Sequence, residues 1–573
     1  MNINNVWAEI LIEEMYRHGI THFFIAPGSR SAPLTLACAS NPRIKTRIHF
    51  DERGLCYFAL GYVKASKTPA AIITTSGTAV ANLLPAVAEA FLTHIPLILL
   101  TADRPQELID CGANQAIRQP EIFKDFTAFH CSLAEPDDGI NPKYVQETAT
   151  KIIRKALSAG LPVHLNCPFA EPLYPNQGSD PSDEIISYLN SYRSSSEPAV
   201  KETAITRYSR PELSTSETER LQKPGIIMAG CLDSREKAEA VIKIAEFLNW
   251  PIYPDPQSQL RQSDHAVIYA DLLLDSEDFF EKSAKSETVL IVGSHFISKN
   301  FSRLLKAMNN AWKILLTDYD DIPDPVYAAS LLIHMPVVEF ADYIINNFSS
   351  SEKSHNTFVP SVSALNWLAE SKIYIDPDQF SEPAIVRYIS QNLPGSIFLG
   401  NSLPARIFSK FAKQNSRLPI VYSNRGASGI DGITATACGI ADCEKETVTL
   451  LTGDLSALHD LNSLALAADK NICIVVINNA GGNIFSVLPG VRDSGYTEKF
   501  FALKHSYGFR QAAEMFNLDY RCVTSMEQLR DNYPPLVKTG ILLECVIPWN
   551  QTPELLEKIR KETAKLKISE YSF

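Results

Sequence analysis

The chain has 573 residues, 45% of them apolar and 21% charged, and a formal net charge of −12. That length is too great for one ordinary core and predicts about three or four domains. The acidic balance argues against a nucleic-acid partner, whose binders present a basic face. No apolar run approaches the ~18 residues of a membrane span.

Met1–Asn5 lacks a basic region followed by an apolar stretch, so no signal peptide is expected. The eleven cysteines form no Cys-x-x-Cys pair, and they are read as buried hydrophobes of a reducing cytoplasm.

Residues 1–180 form the first predicted domain. His22–Ile25, Ala71–Thr74 and Leu97–Leu100 are continuous apolar runs, as expected of strands covered on both faces. Amphipathic segments at Gly54–Ser66 and Ala79–Leu92 lie between them, and this alternation predicts a parallel α/β sheet. From Glu171 to Lys223 the chain turns to Pro, Ser, Glu and Asn, a linker with one helix at most.

A central α/β domain is expected over residues 200–348, with strands at Gly225–Met228, Val289–Gly293 and Lys313–Leu316. A polar break at Ser349–Asn356 separates it from a third domain, 360–573. That domain carries apolar runs at Ser396–Leu399, Val448–Leu451, Ile472–Ile477 and Ile541–Leu543, then a charged amphipathic helix at Glu554–Lys567. The fold class predicted is α/β: three successive doubly wound parallel-sheet domains, compatible with a triplicated plan.

Two stretches carry chemistry. The run Val448–Leu451 leads into Gly453-Asp454-Leu455-Ser456 and a helical pattern through Leu458, Leu461 and Leu464. A strand ending in a small-residue turn at a helix start offers free N–H groups and a positive dipole end to an anion such as a diphosphate. Asp454 can supply a hard oxygen to Mg²⁺ or Mn²⁺.

The next strand ends in Asn478-Asn479-Ala480-Gly481-Gly482, which a parallel sheet brings to the same edge. One of the two Asn side-chain oxygens and a backbone carbonyl at the glycines are the further ligands expected. The two glycines allow close backbone approach. A Walker A loop is excluded because the chain has no Gly-Lys dipeptide.

The second stretch is His49-Phe50-Asp51-Glu52, opening the segment from Gly54. By itself an acidic pair there can simply complement a helix dipole.

With the domain plan, these motifs resemble the thiamine diphosphate-dependent decarboxylase family. The resemblance implies that Glu52 bonds N1′ of the cofactor's aminopyrimidine and helps remove the thiazolium C2 proton, which calls for a water-poor setting. It also implies that Ile430, in Ser428-Gly429-Ile430-Asp431-Gly432, supports the bent cofactor. Cofactor contacts are expected at Glu52, Ser428, Ile430, Gly453, Asp454, Leu455, Ser456, Asn479, Gly481 and Ile484. Because the family places the glutamate and the diphosphate motif on different subunits, a homodimer or a dimer of dimers is implied.

Further blocks are similar to one branch of the family. They include Ala26–Ser31, Thr75–Leu83, Leu100–Pro105, Gly112–Ile117, Asn166–Leu173, Gly400–Ser402 and Ser423–Gly432. That branch joins 2-oxoglutarate to isochorismate with loss of CO₂. Both substrates are dicarboxylates, and guanidinium groups grip carboxylates in bidentate fashion. Arg30, Arg104, Arg406 and Arg425 are the matching cations, with Lys299 from the central domain. Ser29, Asn114, Gln115 and Ser402 would give neutral hydrogen bonds, and Ile484, Phe485 and Leu488 an apolar wall.

One departure stands out: the family often reads Lys-Arg where this chain has Lys299-Asn300, and Arg303, one turn on, is the expected substitute. Two rivals stay open on the residues alone. One is another thiamine diphosphate enzyme, either a 2-oxo acid decarboxylase or an acetolactate synthase-like protein. The other is a non-catalytic binding relative.

Overall fold

A computed structural model describes residues 1–200, 213–348, 361–417, 419–533 and 536–568. The predicted break at Ser349–Asn356 lies outside these.

Three wholly parallel sheets follow one another along the chain. The first contains β1 (His22–Ile25), β2 (Lys45–Ile48), β3 (Ala70–Thr74), β4 (Leu97–Asp103), β5 (Phe129–Ser132) and β6 (Val163–Pro168). The second contains β7 (Gly225–Ala229), β8 (Ile252–Pro254), β9 (Thr288–Val292), β10 (Trp312–Thr317) and β11 (Leu331–His334). The third contains β12 (Ile397–Leu399), β13 (Val421–Ser423), β14 (Val448–Gly453), β15 (Ile472–Asn478), β16 (Asp519–Val523) and β17 (Ile541–Val546).

The first sheet is ordered β2-β1-β3-β4-β6-β5 and the third β13-β12-β14-β15-β17-β16, so the two repeat one topology. The central sheet, β11-β10-β9-β7-β8, keeps the same reversal of direction beside its first strand. In such open sheets ligands gather at the carboxyl edge, where the strand order reverses. In the first sheet that point lies between β1 and β3, and in the third between β12 and β14.

Every apolar run singled out in the sequence lies on a strand. Of the strands not foreseen, β2, β5 and β16 lie at sheet edges and are partly exposed, so their apolar signal is diluted, whereas β6 is buried throughout but its run is interrupted by His164 and Asn166. The predicted helix at Ala79–Leu92 is two helices, Thr78–Ala81 and Leu84–Leu92. Pro85, with no N–H to give, sits in the first turn of the second. The linker holds two helices, Asp183–Ser194 and Thr215–Leu221, where one was expected.

The domains share cores. One cluster joins the helix Glu52–Ser66 of the first domain to the helix Ile433–Ala441 and strands of the third; another joins the central and third domains. The Glu52–Ser66 and Ile433–Ala441 helices cross in backbone contact. A Cβ at Gly61 would lie 2.0 Å from the Thr436 carbonyl oxygen, and one at Gly439 would lie 2.1 Å from that of Phe58. This crossing fixes the helix that starts at Glu52 against the domain that carries Asp454.

Candidate active site

Pairing of β14 with β15 sets Gly453 opposite Ile477, so the chain emerges with Asp454 beside Asn478 and Asn479. The helix that follows is short, Asp454–His459, and a separate 3-10 turn covers Leu461–Leu466. The continuous helix expected through Leu464 is therefore interrupted at Asp460. So few aligned peptides give a weak dipole, leaving the free N–H groups as the main anion-facing feature. Leu455 is half-buried and Ser456 buried in that first turn.

Asp454 is buried. One carboxylate oxygen accepts from the Leu455 N–H at 2.7 Å and the other from the Gly481 N–H at 2.8 Å. Burial pushes its carboxyl up to about 6 against these hydrogen bonds. The only basic group paired with it among the described residues is His505, whose Nε2 lies 3.3 Å away. Open space surrounds the position a Cβ would take at Gly453, although its backbone angles (φ −88°, ψ 164°) suit any residue. The fold itself does not demand glycine there.

Asn479 supplies the test of whether a cation fits. Its Nδ2 donates at 2.8 Å to the buried Glu382 carboxylate, which fixes the amide orientation. Its Oδ1 is buried without a partner among the described residues. An orphaned acceptor of this kind costs free energy unless something else meets it. The Gly481 carbonyl accepts from Asn483 N at 2.9 Å and keeps a second lone pair, while Asn483 Oδ1 is a second buried orphan. All these donors are hard oxygens, as Mg²⁺ and Mn²⁺ require.

The two glycines admit a close backbone neighbour. Ala502 O would lie 2.6 Å from a Cβ at Gly481, and Gly482 N donates to the same oxygen at 2.7 Å. The backbone that approaches them closely is the chain's own segment at Ala502–Lys504.

Glu52 is the first residue of its helix, but the cap is Asp51, which accepts from Arg53 N at 3.0 Å and Gly54 N at 3.3 Å. Asp51 does the dipole complementation, and Glu52 is left with one long bond, 3.3 Å from Asn82 Nδ2. Glu52 is only half-buried. The water-poor setting expected around it is thus not made by a single chain.

Ile430 is 37% exposed, on a loop stapled by Asn401, whose Nδ2 donates to the Asn424 and Gly429 carbonyls at 2.7 and 2.6 Å. Ser428, exposed and at φ 58°, donates back to Arg425 O.

The predicted substrate residues fall into two groups. At the first sheet's carboxyl edge, Arg30 is buried, donating to Phe169 O at 2.8 Å and Glu171 at 3.4 Å with its Nε unpaired. Burial, then neighbouring Arg104, draws its guanidinium below the ordinary value. Arg104 grips Asn114 O at 2.8 and 3.1 Å, and Gln115 donates to Ser76 O at 2.9 Å. Ser29 is exposed, 3.4 Å from the Tyr174 hydroxyl.

At the third sheet's edge, Arg406 donates to Ser402 O at 2.8 Å and Arg425 to Asn401 Oδ1 at 3.0 Å. Burial lowers both guanidinium groups, and Arg425 adds to the effect on Arg406. Ile484, Phe485 and Leu488 are half-buried, with the Phe485 ring 5.8 Å from that of Phe501. Among the described residues, no hydrogen bond or ion pair joins the first group to the second.

Lys299 is exposed at a helix start. Asn300 has an occupation of its own, donating to Asp271 O at 2.9 Å and Asp275 Oδ1 at 2.9 Å. Asp271 and Asp275 in turn hold Ser409 at 2.8 Å and Lys410 at 2.5 Å, on the helix that bears Arg406. Arg303 donates to Leu274 O at 2.7 Å and lies over the Phe280 ring.

Sequence reasoning missed Glu382, Asn483 and Glu544. Glu544 accepts from Asn478 Nδ2 at 2.6 Å, Tyr520 Oη at 2.6 Å and Phe509 N at 3.1 Å. Only Asn483, adjoining the glycines, carried a local signal.

Fold and site together define the thiamine pyrophosphate enzymes. Residues 6–127 match the family described as "Thiamine pyrophosphate enzyme, N-terminal TPP binding domain", and residues 184–399 that described as "Middle domain of thiamine pyrophosphate". The chain is 40% identical over 566 residues to the 2-succinyl-5-enolpyruvyl-6-hydroxy-3-cyclohexene-1-carboxylate synthase of Shewanella sediminis, covering 97% of both chains. Proteins of the same name from Shewanella loihica (40%, 97% of both) and Shewanella putrefaciens (39%, 93% of this chain and 92% of the other) are similar. The chain belongs to this synthase family.

Proposed function

We propose that the chain decarboxylates 2-oxoglutarate and adds the resulting succinyl unit to isochorismate in a 1,4 sense, giving the product for which its relatives are named, a step of menaquinone biosynthesis. The observation that carries this reading is likeness of about 40% over 97% of both chains to a synthase of that name. Thiamine diphosphate, when bound, supplies the carbon nucleophile and stores the electron pair released with CO₂.

The chain's own residues hold and switch that group. Asp454, Asn479 Oδ1 and the Gly481 carbonyl would hold Mg²⁺ or Mn²⁺, whose charge would offset that of a diphosphate. Leu455 and Ser456 offer N–H groups of the same turn to the phosphate oxygens. Ile430, with Ser428 and Ile484, supports the rings. Glu52 holds a proton relay at the aminopyrimidine, where a carboxylate in a dry site is most effective.

The half-exposed state of Glu52 and the separation of the two arginine groups support a homodimer, or a dimer of dimers. There the first domain of one protomer closes over the third domain of its partner. In that arrangement Arg30, Arg104, Ser29, Asn114 and Gln115 face Arg406, Arg425, Ser402 and Lys299 across one cavity. Four guanidinium groups and the Lys299 ammonium suit two dicarboxylates and exceed what a pyruvate-specific site needs. Ile484, Phe485 and Leu488 line its apolar side. The eleven free cysteines favour a cytoplasmic setting, and among the described residues no helix is long and apolar enough to cross a membrane.

The test is product analysis with isochorismate and 2-oxoglutarate, omitting thiamine diphosphate and metal in turn. The adduct should form only in the complete mixture. Release of free succinic semialdehyde with isochorismate ignored, or turnover of pyruvate instead, would overturn the assignment.

A further inference from the structure

The Asn479 side chain is unlike an ordinary turn asparagine in having no freedom to choose which end faces the sheet edge. Its Nδ2 meets Glu382 Oε1 at 2.8 Å, and the same oxygen accepts from Thr552 Oγ1 at 2.7 Å. The three residues come from different parts of the third domain: the end of β15, the start of the helix Glu382–Gln391, and the helix Gln551–Ala564. All are buried, Glu382 and Thr552 at 1% exposure.

A primary amide carries its donor and its acceptor on opposite branches, so anchoring Nδ2 aims Oδ1 the other way. That oxygen is one of the buried atoms with no partner. If Glu382 offered no acceptor, the amide could turn over, presenting N–H₂ where the oxygen now stands. A cation would then meet a donor, which it cannot use.

The charge balance points the same way. Glu382 takes part in no ion pair among the described residues, and Asp454 close by adds a second buried acid. Burying two such groups with no basic neighbour but His505, 3.3 Å from Asp454, is expensive. The start of its helix offsets part of this for Glu382, and a divalent cation between the two loops would offset more.

We infer that Glu382 is a positioning residue of the metal site: its carboxylate orients Asn479 so that Oδ1 points at the cation. Glu382 touches neither metal nor cofactor and acts through Asn479, as outer-shell partners of metal ligands do. The inference rests on the metal-diphosphate reading proposed above.

The experiment is titration of the full-length protein with Mn²⁺ in the presence of thiamine diphosphate, following free Mn²⁺ by electron paramagnetic resonance. Four proteins are compared with the wild type. E382Q keeps an acceptor oxygen in place for both donors and should bind Mn²⁺ within about threefold of wild type. E382L removes the acceptor, and E382D withdraws it by one methylene; each should bind roughly 10–100-fold more weakly. With saturating Mn²⁺ their kcat should largely recover, a split that a merely structural lesion would not give. E382D decides the matter if E382L fails to fold. Binding as tight as wild type in E382D overturns the assignment. D454A is the control on the underlying reading. If wild type binds no Mn²⁺, or D454A binds it equally well, the metal site itself is wrong and the role of Glu382 falls with it.

Discussion

The Asn479 amide nitrogen and the Glu382 carboxylate, 97 positions apart, meet at 2.8 Å in the interior of the third domain. This one bond leaves Asn479 Oδ1 as a buried acceptor without a partner among the described residues, beside a buried Asp454. The neighbouring Asn478 is held in the same manner by Glu544 at 2.6 Å. Two buried glutamates therefore set the loop that follows β15, and the first of them sets its chemistry.

Replacing Glu52 with Gln should separate binding from turnover. Asp51 rather than Glu52 caps the helix. Thiamine diphosphate affinity, measured by calorimetry, should change little, while kcat falls roughly 10²–10⁴-fold. A variant that turns over at the wild-type rate removes the activating role from Glu52.

G453A tests the opening at the end of β14. The backbone there accepts an L side chain and nothing lies within 4 Å of the added Cβ. The melting temperature of the cofactor-free protein should stay within a degree or two of wild type. Affinity for thiamine diphosphate with Mg²⁺ should drop at least about tenfold, because the methyl group occupies the space left for the ligand. Unchanged affinity would show that the space serves nothing.

G61A tests the helix crossing. A methyl group at Gly61 would meet the Thr436 carbonyl oxygen at 2.0 Å, which neither rigid backbone can yield without moving the helices apart. A loss of about 1–3 kcal/mol is expected from such overpacking. Chemical denaturation measures it, and an unaltered midpoint would contradict the close crossing.

Acid stability should report His164. This side chain is 1% exposed, and burial lowers its pKa from 6.5 to about 3. Thr101 Oγ1 donates to Asn166 Oδ1, so it accepts from His164 Nε2 at 2.7 Å, and the ring is neutral. A folded-state pKa below the unfolded one gives a stabilisation that is complete above pH 6.5. It is lost as pH falls toward 3, since the unfolded chain takes up the proton first. Between pH 6.5 and 4.5 this histidine should account for about 2 kcal/mol of lost stability. H164Q keeps a donor at the Nε2 position without titrating, and its denaturation midpoint should fall less over that interval.

How far the sequence reaches depends on the range of the interaction that carries the information. The fully buried strands β3, β4, β9, β10, β14 and β15 were legible because a strand covered on both faces must be apolar throughout. Gly453-Asp454 and Asn478-Asn479 were legible because a parallel sheet sends successive strand ends to one edge. Strand edges such as β2 and β16 gave no such signal.

Only the tertiary structure decided what each polar group is paired with. It assigned the capping role to Asp51 and left Glu52 half-exposed. Asn300 was turned to Asp271 and Asp275, and Arg303 to Leu274. The segment at Ala502–Lys504 was brought onto Gly481, and Glu382 onto Asn479. Local periodicity and turn chemistry are written in neighbouring residues, whereas a hydrogen bond between positions a hundred apart depends on the order in which strands join a sheet.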